Sequence, residues 1–149
     1  MKPLKRQVLI ILIITLISLS GCVFKSDPAG FVEIAGTWAL AGRVVYGSTN
    51  VSGTGTLYIT RQEGSDFSGT GWYFVLNAPV EGTVSERPDN YLLMRATVEY
   101  AGKERTVLFT GHVLESEDGV SVEDGEIFLD DLTKKVGTWT GKRTPPPGE

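Results

Sequence analysis

Between residues 36 and 143, apolar and polar side chains alternate with a period close to two, and no stretch repeats at helical spacing. The alternation predicts eight strands, at about 36–46, 54–61, 66–76, 79–86, 91–100, 104–114, 120–130 and 136–143. It is clearest in the fifth, where Leu92, Met94, Ala96 and Val98 share one face while Arg95, Thr97 and Glu99 share the other. In the sixth, Val107, Phe109 and Val113 oppose Thr106, Thr110 and His112. One buried and one wet face is the pattern of antiparallel sheet. Pro88-Asp89-Asn90, Ala101-Gly102-Lys103 and Glu117-Asp118-Gly119 are suited to tight reversals. Short connections favour an up-and-down meander, and eight strands in that order can close on themselves and remove both edges. A closed eight-stranded antiparallel barrel is therefore expected, with a two-sheet sandwich as the alternative. Glycines within strands, at Gly42, Gly55, Gly69, Gly71, Gly82 and Gly111, suit the sharp bends and close packing of closure. At Asp124-Gly125 the apolar face switches from Val120 and Val122 to Ile127 and Leu129. A bulge would produce that switch, as would a hairpin.

The two ends follow other rules. Lys2, Lys5 and Arg6 precede an aliphatic run from Val8 to Leu19. That run is too short for a spanning helix of roughly 20 apolar residues and fits an export signal. The residues after it, Leu19-Ser20-Gly21-Cys22, resemble the lipobox of bacterial lipoproteins. The resemblance implies cleavage of residues 1–21 and a diacylglycerol on the Cys22 sulfur. An uncleaved signal anchor with an incidental cysteine is the alternative. Cys22 is the only cysteine, and a lone thiol in an exported chain otherwise calls for a partner. Each buried methylene contributes about 0.8 kcal/mol, so two acyl chains anchor firmly where one binds marginally. Val23 follows Cys22 where the inner-membrane retention pattern of such proteins has aspartate. This implies the outer membrane of a two-membraned cell, or the outer face of a single membrane. Residues 22–35 read as the lipidated N-terminus and a tether, about 13 residues that reach at most about 45 Å. Residues 144–149, with three consecutive prolines, read as a tail that cannot join a sheet.

Composition narrows the function. Of 149 residues, removal of the first 21 leaves 128, and loss of Lys2, Lys5 and Arg6 takes the formal charge from −4 to −7. That length is one domain, able to bury about two thirds of its unfolded surface. An acidic chain is a poor partner for nucleic acid and gains nothing from anionic lipid beyond its anchor. With no thiol pair, the fold receives no disulfide support.

Candidate chemistry is sparse. The sole histidine, His112, falls on the wet face of its strand, and no serine sits in a glycine-flanked nucleophile turn. One histidine and no free cysteine do not make a zinc site. Three carboxylate clusters, Glu115/Glu117/Asp118, Glu123/Asp124/Glu126 and Asp130/Asp131, read as solvated turns, with a glycosidase pair or weak calcium binding as the functional alternatives. No catalytic residue, cofactor or metal is expected. The first strand opens Gly36-Thr37-Trp38 and the last reads Gly137-Thr138-Trp139, ending at Arg143. This Gly-x-Trp opening resembles lipocalins and avidins, both eight-stranded barrels. The lipocalin resemblance implies that Trp38 closes one end and that Arg143 packs across it, worth about 0.5–2 kcal/mol. The repeated Gly-Thr-Trp also suggests that the first and last strands pair, with Trp38 and Trp139 at the closure seam. Trp72, Phe74, Tyr58, Tyr91 and Tyr100 are candidates to line a cavity or to form an outer patch. A barrel of eight strands is wide enough either to be filled by side chains or to hold one small ligand. The expected function is a non-catalytic envelope module carrying a small apolar or amphipathic ligand in the barrel. The alternative is a protein-interaction or inhibitor domain with a packed core and an outer patch near Tyr73 or Tyr91.

Overall fold

The computed structural model describes residues 30–73, 76–100 and 102–145. Eight strands form where the alternation places them: β1 (Gly36–Tyr46), β2 (Thr49–Glu63), β3 (Asp66–Tyr73), β4 (Leu76–Val84), β5 (Tyr91–Tyr100), β6 (Lys103–Ser116), β7 (Gly119–Leu129) and β8 (Lys135–Arg143). Each pairs antiparallel with the next, and β1 pairs with β8 to close the barrel. The sandwich alternative is thereby excluded. The start of β1, the β2–β3, β4–β5 and β6–β7 connections and the end of β8 share one end of the barrel, here called the entry end.

The departures from the expected boundaries have local causes. β2 begins at Thr49, not near residue 54, because Gly47 (φ 59°) allows a two-residue turn and Val51–Gly53 then pair with Gly42–Val44. That stretch is exposed on most positions, so it carries no one-face apolar signal. β4 begins at Leu76, and Ala78 and Val80 both turn inward. Pro79 is tolerated because the β4–β5 ladder starts only at Val80. At Asp124 (φ 52°) and Gly125 the chain bulges against both neighbours. The bulge, not a hairpin, moves the inward face from Val120 and Val122 to Ile127. It also alters the neighbouring strand: Thr110, expected to be wet, is buried beside the register shift in β6.

The segment expected to be tether up to residue 35 belongs to the domain. Phe31 bridges Glu86, and Val32 and Ile34 are wholly buried, filling the entry end. The side chain of Gln62 holds this plug twice, accepting from the Ile34 N–H (2.8 Å) and donating to the Val32 carbonyl (2.8 Å). Arg87 donates to the Phe31 carbonyl at 3.0 Å, and Arg143 to that of Glu33 at 2.6 Å. Sequence reading missed the plug because Val32 and Ile34 make only a two-residue alternation with no neighbouring strand signal. Gln62→Ala leaves two main-chain groups without partners and is expected to cost about 1–3 kcal/mol. Hydrogen exchange at the Ile34 amide should accelerate with it; unchanged exchange would show that Gln62 does not hold the plug.

Candidate functional site

The inside of the barrel is built around two tryptophans. Trp139 stands opposite Gly42 of β1 and Gly125 of β7. A Cβ on Gly125 would lie 2.4 Å from Trp139 Nε1, so only glycine admits the indole at this distance from the β7 backbone. Gly141 is the second such contact, with a Cβ there 3.0 Å from Trp139 Cζ3 and 3.4 Å from Trp38 Cε3. The Trp139 indole N–H donates to the Thr110 carbonyl (3.0 Å), and Phe109 meets the ring edge-on at 5.9 Å between centroids. The Trp38 N–H donates to the Ile34 carbonyl (2.8 Å), joining the core to the plug. A buried indole needs such an acceptor. Trp38 and Trp139 are only 2% and 3% exposed, and Leu40, Leu57, Ile59, Leu92, Met94 and Val122 pack around them. The repeated Gly-Thr-Trp does sit at the closure seam, where Trp38 stands opposite Arg143 in the β1–β8 ladder.

The aromatic candidates do not gather in the interior. Tyr58 is 48% exposed and Tyr91 37%, so both are outer-surface residues. Each follows from phase: Leu57 and Ile59 take the inward positions around Tyr58, and Leu92 takes the one beside Tyr91. Phe74 and Cys22 lie outside the described residues, as do the side chains of Trp72, Tyr73 and Tyr100. His112 is exposed and meets Tyr91 edge-on at 5.3 Å.

The acidic clusters are dispersed by their partners. Arg87 forks onto Glu115 (2.7 and 2.8 Å), and this hydrogen bonding holds the Glu115 carboxyl below its usual range. Arg105 does the same for Asp130, at 2.9 and 2.7 Å. Thr133 donates to Asp131, and Lys135 pairs with Glu126. Among the described residues no three His, Cys, Asp or Glu side chains are grouped as metal ligands.

Among the described residues an open concavity lies on the outer face. A groove of about 570 Å³ crosses β2 to β6. The ladder registers set two rows across it, Arg61–Ser68–Glu81–Arg95–Leu108 and Glu63–Asp66–Thr83–Leu93. Gly82 lies under the groove, where a Cβ would stand 2.2 Å from the Leu93 carbonyl and 2.7 Å from Phe67 Cζ. The chain there has no room for a side chain, and Phe67 forms part of the lining. Leu93 and Leu108 are half-buried apolar residues at outward positions. Around them Arg61 pairs with Glu63 (2.6 Å) and Arg95 with Glu81. Among the described residues Asp66 has no cation within ion-pair distance. Neither a protein-family model nor a curated protein matches this chain.

Sequence reasoning did not find the groove. A signal was present in Leu92-Leu93 and Val107-Leu108-Phe109, where apolar residues occupy wet-face positions and break the alternation. Which strands carry those residues side by side depends on register.

Proposed function

We propose that this chain is a non-catalytic binding module, lipid-anchored through Cys22 in a bacterial envelope, that engages its partner through the outer surface of a filled barrel. The observation that carries the reading is the interior. Trp38 and Trp139 lie against glycines with their N–H groups satisfied, and Val32 and Ile34 fill the entry end. A ligand inside would have to displace these side chains, at the cavity and hydrogen-bond cost their burial implies. The groove on β2–β6 needs no such displacement. Of the two functions the sequence suggests, the packed interaction domain is the better supported.

The non-catalytic reading is supported by the surroundings of the titratable groups. The only imidazole lies exposed against Tyr91, and Glu115 and Asp130 are each engaged by an arginine. The anchor rests on the lipobox resemblance at Leu19-Ser20-Gly21-Cys22. The described residues begin at Gly30 by the entry end, and the stretch from Cys22 to Gly30 reaches at most about 30 Å, so a lipid on Cys22 would hold the entry end nearest the membrane.

Native mass spectrometry of the full chain, released from detergent after purification from its own envelope, tests the mode of binding. The expected species carries the covalent lipid and no further small molecule. A discrete noncovalent adduct whose photo-cross-links map to inward residues such as Leu92 or Val122 would overturn the outer-surface reading.

A further inference from the structure

Resting on that reading, the charge pattern of the groove indicates what fills it. Arg61 on β2 and Arg95 on β5 stand three strand spacings or about 14 Å apart; Asp66 and Glu81 lie on the two strands between them, and Glu63 stands two residues from Arg61 on β2. Each arginine pairs with one glutamate, and among the described residues Asp66 pairs with no cation. Beside this acidic middle, Leu93 and Leu108 offer a half-buried apolar floor, with the hydroxyls of Ser68 and Thr83 between. We propose that the groove binds a basic, partly apolar segment of a partner protein. A lysine or arginine of that segment pairs with Asp66 while an adjoining aliphatic side chain covers Leu93 and Leu108.

Attraction to such a segment acts at two ranges. At contact, a cation supplies Asp66 with the ion-pair partner that no described residue gives it, and the apolar floor loses its contact with water. At longer range, the formal charge of −7 after removal of residues 1–21 draws a cationic partner in and opposes a second copy of the same acidic chain. An acidic partner would meet three carboxylates and find both arginines already engaged.

The test uses the full chain in nonionic detergent and a fluorescent, photo-reactive peptide of sequence Lys-Lys-Leu-Leu-Lys-Lys, with empty micelles as blank. Three substitutions are compared, each first checked for an unchanged thermal melt. Asp66→Lys reverses the unpaired charge, and Leu93→Ser removes part of the floor. Glu117→Lys makes the same charge change at the exposed β6–β7 turn. The expected result is binding that weakens with salt, is lowered about tenfold by Asp66→Lys and severalfold by Leu93→Ser, and changes less than about twofold in Glu117→Lys. Cross-links should map to the outward residues of β3–β5. Absence of binding, or equal losses in Asp66→Lys and Glu117→Lys, would overturn the proposal, since attraction would then follow net charge alone. Cross-links to another outer face would overturn the groove but leave the outer-surface function standing. Cross-links to inward residues such as Leu92 or Val113 would sink both.

Discussion

Trp139→Ala is expected to destabilise the domain by about 3–5 kcal/mol, the range for removing a large aromatic side chain from a closed core. Three losses combine. The indole fills the space left by Gly125 and Gly141, its N–H satisfies the Thr110 carbonyl, and its ring packs edge-on with Phe109. Backbone cannot collapse into the gap, because β7 and β8 are held by their ladders on both sides. For a domain near 110 residues this corresponds to a melting temperature lower by about 12 °C or more, read by calorimetry or circular dichroism. Trp139→Phe separates the terms: it keeps most of the packing, removes the donor, and should cost about 1–3 kcal/mol. A melt of Trp139→Ala within a few degrees of the parent would mean that the interior is not solid, and the outer-surface reading would lose its main support.

The second large effect is all-or-none. Cys22→Ser is expected to abolish incorporation of labelled fatty acid and to leave a precursor that retains residues 1–21. A serine oxygen does not replace the sulfur on which the diacylglycerol is carried by the lipobox resemblance. The readout is intact mass together with lipid label, not membrane fractionation, because the retained Val8–Leu19 run would itself hold the precursor at a membrane. Normal labelling of Cys22→Ser would overturn the anchor assignment and with it the placement of the entry end near the lipid surface.

Most of the architecture was legible because it is local. Inward residues such as Leu92, Met94 and Ala96 alternate with outward Arg95 and Thr97, and this period of two reports one buried face whatever the strand pairs with. The turns at Asn90 (φ 49°), Gly102 (φ 72°) and Gly119 (φ 113°) were equally legible, since left-handed backbone is a property of single residues. The switch of face at Asp124-Gly125 was legible but fitted a bulge or a hairpin alike, and the ladders on both sides decided for the bulge. Residues 31–35 were not legible: their burial depends on Gln62, Arg87 and Arg143, which lie far along the chain.

The candidate site was the least legible part. By type, Tyr58 and Tyr91 fitted either a cavity lining or an outer patch, because side-chain type does not state phase; the structure leaves both exposed. The groove draws Arg61, Asp66, Glu81, Leu93 and Leu108 from five different strands. By itself, then, the sequence determined the number and order of the strands, the inward face where alternation is clear, as in β5, and the signals at the N-terminus, all written in neighbouring residues. Only the tertiary structure decided which described residues meet around Trp38 and Trp139, that Val32 and Ile34 pack into the entry end and that the groove on β2–β6 faces outward. Those outcomes depend on register and closure, which choose the residues that meet across strands.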